Sequence, residues 1–521
     1  MTAPLPHAPS RTLQRVGAAL ALEVRLELRH GLVGAALGLS LVWSTVLLAI
    51  PATTAAALAP LLLFVDTAGF GALFAVVLAL FERVERSRES LATTPLRPSE
   101  YIGARLTVLT VLSVVAAVPI VTVSTRDRWL EGPAAMATVV LPALVGVALS
   151  ALLFLGAVVA AGIRVQTFQA LFGQLPLVLV PLLAPALAHL SGLVSSPLLF
   201  LAPTTVAADL LHVGLSPEGV SFGLATAVLY PLAAVVAMSA LATARLRVDT
   251  TEKPSAQAPP ATVARPPQRR QRRPRTPAAI RPLAAFARVD LRGIGRDPTL
   301  LALPIAPVLL ALGLRMGYPL LEEFVGAHYG VVLAPYRPVA LAALVVLHVP
   351  LMTGAIGAMR AMEDVDDRTL LVLRVSPFSL SHYLAYRLLG VLGVTVAGLA
   401  VALPLSGLAG PWSAGLVVAL LLAAAQAPLL VLLAVALASG KVQGLVTVKI
   451  VGAALTLLPL LVWWLPAPWV WLLAVLPPFW PVAAVPSYGL ATAPLAGLLG
   501  TLTILGWAFP AWLGVPRRQS R

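Results

Sequence analysis

The sequence contains no cysteine, and only 11% of its 521 residues are charged. Without cysteine there is no disulfide and no thiol chemistry. The low charge accompanies 59% hydrophobic residues and a mean hydropathy of +0.93, a balance that excludes a soluble protein of this length. The chain is therefore predicted to be a polytopic membrane protein.

Motifs for catalysis and nucleotide binding are also missing. Gly440-Lys441 is the only Gly-Lys pair, and it is followed by valine and lacks the upstream glycine of a phosphate loop. No His-rich or acidic cluster has the spacing of metal ligands, and no nucleophile elbow is present. We therefore expect that the chain is not an enzyme and holds no cofactor or metal of its own.

Positive charge is concentrated in one stretch of the sequence. The formal net charge is +15, and residues 243–282 hold ten Arg or Lys and two acidic residues among many Pro and Ala. Such a composition cannot build a core, so it predicts a cytoplasmic linker that binds the surface of anionic membrane lipid. It does not favour nucleic-acid binding.

Apolar runs of about 20 residues, the length of a transmembrane helix, recur through both halves. They are continuous, and lipid cannot satisfy open backbone groups, so an all-α protein is predicted. Twelve spans are expected at about 31–50, 56–80, 103–123, 133–161, 169–190, 220–242, 299–319, 338–358, 386–407, 412–438, 443–465 and 490–513.

Basic residues decide the predicted orientation. Arg residues occur in the N-terminal segment, the 81–105 loop, the linker and the C-terminal tail, all on one side of the predicted spans. That side is cytoplasmic by the positive-inside rule. We therefore expect a multi-pass protein of a bacterial inner membrane with both termini in the cytoplasm.

A polar tract occurs twice without a gap. It runs from Glu82 to Leu106 and again from Asp364 to Leu388, a constant shift of 282. The segment 25–29 before the first span also resembles 288–292 before the seventh, and both have a helical apolar stripe typical of a helix on the membrane surface. The chain is therefore predicted to contain two parallel copies of one six-helix unit.

The predicted organisation has three parts. A first six-span half with an N-terminal amphipathic helix occupies 1–242, the basic linker occupies 243–282, and a second six-span half occupies 283–521.

Acidic and basic side chains recur at helical spacing inside the repeated tract. Glu82, Glu85 and Glu89 would share one helical face. Glu82 with Arg86, and Asp364 with Arg368, form i,i+4 pairs. Pro95 and Pro377 should end this helix, and Ser99 and Ser381 are candidate N-caps of the next. The alternative is a solvated loop with membrane-proximal charges, although such a loop has no reason to be kept in both halves.

The second copy resembles a family signature. Its stretch Arg368-Thr369-Leu370-Leu371, leading to Ser376-Pro377 and Tyr383-Leu384, is similar to the Gly-Thr-Leu, Ser/Thr-Pro and Glu-Tyr-Leu signature of type-2 ABC exporter permeases. The first copy keeps Leu91, Thr94, Pro95, Glu100 and Tyr101. Both copies carry Arg where the family usually has Gly.

The resemblance implies that each half is a six-span half-transporter and that the repeated tract is a coupling helix that docks on an ATPase subunit. Two copies of the ATPase would then bind one chain, with ATP and Mg²⁺ in the partner. The implied cargo is an amphiphilic small molecule, such as a drug, antibiotic or lipid-like compound, moved outward. The implied ATPase-coupling residues are Glu82, Glu85, Arg86, Glu89, Thr94, Pro95, Asp364, Asp367, Arg368, Thr369, Ser376 and Pro377.

Ionisable residues inside predicted spans are candidates for the substrate path. Asp66 and His348 are related by the same shift of 282, so they could pair across a path between the halves. The alternative is that each lies near the outer membrane face in contact with water. Gln169 and Gln174 in the fifth span are further candidates for the path, or make interhelical hydrogen bonds.

Two other functions compete with the exporter interpretation. A proton-coupled twelve-span transporter would use Asp66 and His348 as proton carriers and would work without an ATPase. A membrane glycosyl- or lipid-transferase would need acidic residues in the outer loops, and Asp127, Asp209 and Glu322-Glu323 are too scattered to favour it.

Pro and Trp cluster at the outer end of the eleventh span. Aromatic rings at this position are typical of anchoring at the membrane interface. The alternative is that this segment and its counterpart near 195–210 form an outer gate of short helices. The five tryptophans are Trp463, Trp464, Trp469, Trp471 and Trp480.

Overall fold

The computed structural model is helical, with no strand in the residues that it describes. The described residues are 9–68, 94–162, 168–192, 194, 196–215, 223–251, 298–329, 332–366, 380–438, 441–485 and 491–519. The chain divides into two compact units, Met1–Arg273 and Pro274–Arg521.

The first unit begins with an amphipathic helix and continues with long apolar ones. Its described helices are α1 (Pro9–Arg29), α2 (Leu32–Ala49), α3 (Ala52–Leu62), α4 (Pro98–Ser124), α5 (Pro133–Gly162), α6 (Phe168–Leu190), α7 (Pro203–Leu215) and α8 (Leu224–Thr251). Between α1 and α2 the chain turns at Gly31, whose φ of 75° lies in the left-handed region that glycine adopts without strain. The chain changes direction at this turn, so the charged helix α1 does not continue the axis of the apolar helix α2.

The second unit is also made of helices, but these are interrupted more often by short 3₁₀ or π-helical segments. Its described helices are α9 (Pro298–Tyr329), α10 (Arg337–Leu341), α11 (His348–Asp366), α12 (Leu380–Leu405), α13 (Ala414–Ala424), α14 (Gln426–Leu437), α15 (Lys441–Leu457), α16 (Phe479–Ala483) and α17 (Ala493–Gln519). A π-helical segment, Ala342–Leu347, joins α10 to α11.

Ten helical stretches among the described residues are long and apolar enough to cross a membrane. They correspond to ten of the twelve predicted spans, and the protein is a multi-pass membrane protein. The second and fifth predicted spans fall on shorter apolar helices, Ala52–Asp66 and Leu177–Leu190. The count of twelve and the parallel pairing of two repeats stay predictions.

Small residues bring helices close together in both units, as is common where helices associate in lipid. A Cβ on Gly146 of α5 would lie 3.0 Å from the carbonyl oxygen of Ala207 on α7. A Cβ on Gly354 of α11 would lie 3.0 Å from both the Cα and the carbonyl oxygen of Ala427 on α14. These glycines set the separation between central helices, and α5 and α14 are largely buried.

Short helices lie where the outer gate was predicted. In the first unit a 3₁₀ turn, Pro197–Leu201, leads into α7, and residues 204–211 of α7 are buried. In the second unit 3₁₀ segments Leu458–Trp463 and Trp469–Val475 precede the buried α16. The short helices α7 and α16 are therefore packed into their units, whereas Pro197–Leu201 and Trp469–Val475 keep mostly exposed side chains.

The tryptophans of this region differ in their environment. Trp469 and Trp471 are exposed, as expected of interfacial anchors. Trp480 is buried, and its Nε1 donates to the carbonyl oxygen of Ala474 at 3.0 Å. The prediction of an interfacial anchor is wrong for Trp480, which packs edge-on against Phe479 with ring centroids 5.2 Å apart.

Candidate functional site

The predicted coupling segment of the second unit is flanked by a three-residue polar cluster. Asp364 is near the end of α11, and Tyr383 and Arg387 are on the first turns of α12. Arg387 Nη2 donates to Asp364 Oδ2 at 2.7 Å, and the Tyr383 hydroxyl donates to the same oxygen. Arg387 Nε also donates to the Tyr383 hydroxyl at 3.0 Å. The cluster joins the helix before the segment to the helix after it.

The same tyrosine and arginine recur at the start of α4. Arg105 lies over the Tyr101 ring with its guanidinium carbon 5.0 Å from the centroid, and Arg387 lies over Tyr383 at 5.5 Å. Both are cation–π contacts between residues four apart on a helix. Each unit therefore has one Arg–Tyr pair at the start of the helix that follows the repeated tract.

In the first unit Arg105 also binds the amphipathic helix. Its Nε donates to Glu23 Oε1 of α1 at 2.6 Å, and both side chains are buried. A second ion pair joins the two helices, in which Arg15 Nη2 of α1 donates to Glu100 Oε1 of α4 at 3.0 Å. Two ion pairs thus fasten α1 along the first turns of α4.

A second acidic residue of α1 is buried beside this pair. Glu27 is 1% exposed, and neither of its carboxylate oxygens has a hydrogen-bond partner among the described residues. Burial, reinforced by the nearby charge of Glu23, raises the pKa of Glu27 to about 8, and Arg105 opposes the shift.

Helix α4 starts differently from the prediction. Its first residue is Pro98, and the backbone N–H of the N-cap Arg97 donates to Glu100 Oε2 at 2.9 Å. Proline at the first helical position and glutamate at the third are both favourable there. The prediction of Ser99 as the N-cap is therefore wrong, because Ser99 already lies inside the helix. The prediction of Ser381 is wrong for the same reason, because α12 already includes Leu380.

Few of the predicted ATPase-coupling residues belong to the described part of the chain. Thr94 and Pro95 are exposed just before α4. Asp364 is half-buried and faces Arg387 within its own unit. The other coupling residues lie outside the described residues: Glu82, Glu85, Arg86, Glu89, Asp367, Arg368, Thr369, Ser376 and Pro377.

Asp66 lies on a π-helical segment, Leu63–Ala68, that extends α3. Its Oδ2 accepts a hydrogen bond from Trp43 Nε1 of α2 at 2.8 Å. A small cleft between α2, α4 and this segment is lined by Trp43, Asp66, Ser40 and Ser113. The cleft presents one carboxylate and one indole, whereas the buried Ser40 and Ser113 hydroxyls donate to the backbone carbonyl oxygens of Ala116 and Leu109.

His348 occupies a related position in the second unit. It is half-buried and begins α11, directly after the π-helical segment Ala342–Leu347. Asp66 and His348 belong to different units, so their pairing stays a prediction. Gln169 and Gln174 lie on α6, and their side chains are outside the described residues.

A polar contact absent from the sequence prediction joins α6 to α7. His189 Nε2 lies 3.0 Å from Asp209 Oδ1, and Asp209 is buried. Thr204 Oγ1 on α7 donates to the carbonyl oxygen of Leu182 on α6 at 2.7 Å. Asp209 was considered only as a scattered acid of an outer loop, whereas it lies inside the first unit.

The Arg–Tyr pairs were also not predicted from the sequence. The signal was available, since Tyr101 with Arg105 and Tyr383 with Arg387 are identical in both copies of the tract. Glu23 has no such signal, because its partner Arg105 lies 82 residues away.

Comparisons with known proteins assign each half of the chain. A family model described as fluoroquinolones export permease protein family matches residues 14–250, and one described as fluoroquinolones export permease protein Rv2686c-like matches residues 290–513. No solved structure matches the chain significantly.

Two curated relatives come from Mycobacterium tuberculosis H37Rv. Fluoroquinolones export permease protein Rv2686c is 38% identical over 208 residues, which are 40% of this chain and 82% of the relative. Fluoroquinolones export permease protein Rv2687c is 32% identical over 225 residues, which are 42% of this chain and 90% of the relative. Each relative thus matches less than half of this chain with most of its own length. The chain belongs to the fluoroquinolones export permease family and joins two permease halves of that family in one polypeptide.

Proposed function

We propose that the chain is the membrane subunit of an ATP-driven exporter that moves amphiphilic antibiotics of the fluoroquinolone type out of the cell. The observation that carries the proposal is the match of both halves to models of fluoroquinolone export permeases. The resemblance of the repeated tract to the coupling region of type-2 ABC exporters supports the energy source. The cell membrane is the proposed location, with both termini in the cytoplasm.

The energy would come from a partner. The sequence has no phosphate loop, and the tract that we propose for coupling occurs once in each half, so two ATPase subunits would bind one chain and would hold ATP and Mg²⁺. The Asp364–Arg387–Tyr383 cluster supports this proposal, because it fixes the two helices that flank the second tract. A segment held at both ends can transmit a push from a docked subunit to both helices.

The proposed substrate path includes Asp66, His348, Gln169 and Gln174. Asp66 is the strongest of these, because its carboxylate lies in a cleft beside an indole ring. A fluoroquinolone with a protonated amine offers the charge that Asp66 would bind and an aromatic ring system that an indole would contact.

The test is fluoroquinolone efflux from a susceptible host that expresses the chain together with an ABC ATPase from the same genome. Intrinsic fluorescence of the drug measures its loss from loaded cells. We expect efflux with both subunits and none when the catalytic glutamate of the ATPase is replaced by glutamine. Efflux that survives this replacement but stops with a protonophore would overturn the proposal in favour of a proton-coupled transporter.

A further inference from the structure

The contact between α1 and α4 holds more negative than positive charge. Glu23 and Glu27 are one helical turn apart on α1, so both face α4. Among the described residues, Arg105 is the cation whose charge acts on Glu27, and its Nε is bound to Glu23 Oε1 at 2.6 Å. One buried carboxyl group, that of Glu27, is left without a hydrogen-bond partner among the described residues.

The other ionisable groups described on the packed helices do not balance Glu27. One turn further along, His30 Nδ1 lies 2.7 Å from the carbonyl oxygen of Leu26. On α4 these are Glu100, Tyr101 and Arg105, and Glu100 is bound to Arg15. The described helix α2, which also packs on α1, contains no ionisable residue. A carboxylate buried without a partner is costly, and the usual outcome is that it takes up a proton.

We infer that the junction of α1 and α4 is a proton-binding site in which Glu27 carries the proton, and that this proton stabilises the docking of α1. The pKa of Glu27, raised to about 8 by burial first and by Glu23 second, agrees with a neutral acid at cytoplasmic pH. A metal cation fits less well, because such ions take several oxygen ligands and both Glu27 oxygens are shut off from solvent.

The sign of the pH dependence follows from this shift. A docked α1 holds its Glu27 proton up to about pH 8, whereas an exposed glutamate loses it near its ordinary pKa of 4.5. Docking therefore takes up a proton between these values, and its equilibrium constant falls by up to about tenfold for each pH unit. Docking is strongest below the pKa of the exposed group and weakest above that of the docked one.

Infrared difference spectroscopy tests the proton directly in the purified full chain. We expect the C=O stretch of a protonated carboxylic acid at pH 7, titrating near pH 8 and absent in Glu27→Gln. In Glu23→Gln the midpoint should fall, because a negative neighbour is removed and Arg105 is released. A band that is absent at pH 7, or unchanged by Glu27→Gln, would overturn the inference, as would a midpoint that moves when Na⁺ replaces K⁺.

Thiol labelling tests docking, because the chain has no cysteine of its own. Ala19→Cys reports a buried position of α1, and Leu13→Cys, at an exposed position of the same helix, corrects for the ionisation of the thiol. We expect the ratio of labelling rates, position 19 over position 13, to rise between pH 6 and 8. When Glu27→Gln is added to both cysteine variants, the ratio should no longer change with pH. A rise that persists with Glu27→Gln, or no rise in the cysteine variants that keep Glu27, would contradict the inference that the proton stabilises docking.

Discussion

Arg387 Nη2 lies 2.7 Å from Asp364 Oδ2, and this ion pair connects the end of α11 to the beginning of α12 across the predicted coupling segment. The two side chains are 17% and 16% exposed, so solvent screens the pair only in part. Asp364, predicted to act on an ATPase, is thus bound to its own unit.

Breaking this pair should loosen the second unit. We expect Arg387→Gln to lower the free energy of unfolding by about 1–3 kcal/mol, because Asp364 then keeps only the Tyr383 hydroxyl among the cluster's donors. The double exchange Asp364→Arg with Arg387→Asp should restore part of the loss. Scanning fluorimetry of the purified chain measures the change.

The matched control is Arg360–Glu363, a more exposed pair on the same helix with Nη1 and Oε2 2.9 Å apart. Arg360→Gln should change stability by less than about 0.5 kcal/mol. Equal effects of Arg360→Gln and Arg387→Gln would contradict the conclusion that the Asp364–Arg387 pair stabilises the contact between α11 and α12.

Replacing Arg105 should destabilise the first unit more strongly. Arg105→Met leaves Glu23 buried without its guanidinium partner, which typically costs about 3–5 kcal/mol. Arg15→Met, at the more exposed pair with Glu100, should lose about 1 kcal/mol or less. Thermal unfolding of both variants measures the difference. Equal losses in Arg105→Met and Arg15→Met would show that the buried ion pair does not carry the stability.

Adding a methyl group at Gly354 should push two central helices apart. The new Cβ would meet the backbone of Ala427 at 3.0 Å, so Gly354→Ala should cost about 1–3 kcal/mol. Gly317→Ala on α9 meets nothing within 4 Å and should be neutral or stabilising by up to about 1 kcal/mol. Thermal unfolding of both variants in one detergent decides whether close approach or helix propensity dominates.

Removing the charge of Asp66 should weaken export of cationic drugs. Asp66→Asn keeps an oxygen that can accept from Trp43 Nε1, so the packing is preserved while the carboxylate charge is lost. We expect about tenfold lower efflux of a fluoroquinolone with a protonated amine, the typical value of one charge-assisted hydrogen bond. A derivative acylated at that nitrogen serves as the control and should be exported equally by both forms. Equal loss of both compounds would place Asp66 in folding rather than recognition.

Spans were predictable because hydrophobic length is a local property. The predicted 103–123 lies within Pro98–Ser124, and 443–465 overlaps Gln443–Trp463. The start of α4 was misplaced because Ser99 was taken as the N-cap instead of Arg97. The sequence held the information, since Pro98 and Glu100 are favourable at the first and third helical positions.

Contacts between distant residues could not be predicted in this way. Glu23 with Arg105 and His189 with Asp209 depend on which helix faces meet, and hydropathy carries no such information. The repeat shows that Tyr101 and Arg105 have counterparts in the second copy. It does not predict that Arg105 binds the carboxylate of Glu23. The two π-helical segments were equally hidden, because an added backbone residue leaves the apolar run unbroken.

The two π-helical segments determine the direction of one polar side chain in each unit. An inserted residue rotates the helix beyond it by about 100° relative to the part before it. Asp66 lies within Leu63–Ala68, and His348 follows directly after Ala342–Leu347. The added residue therefore sets the angle at which each of these side chains leaves its helix, relative to the turns before it, and in the first unit that angle lets Asp66 accept from Trp43 Nε1.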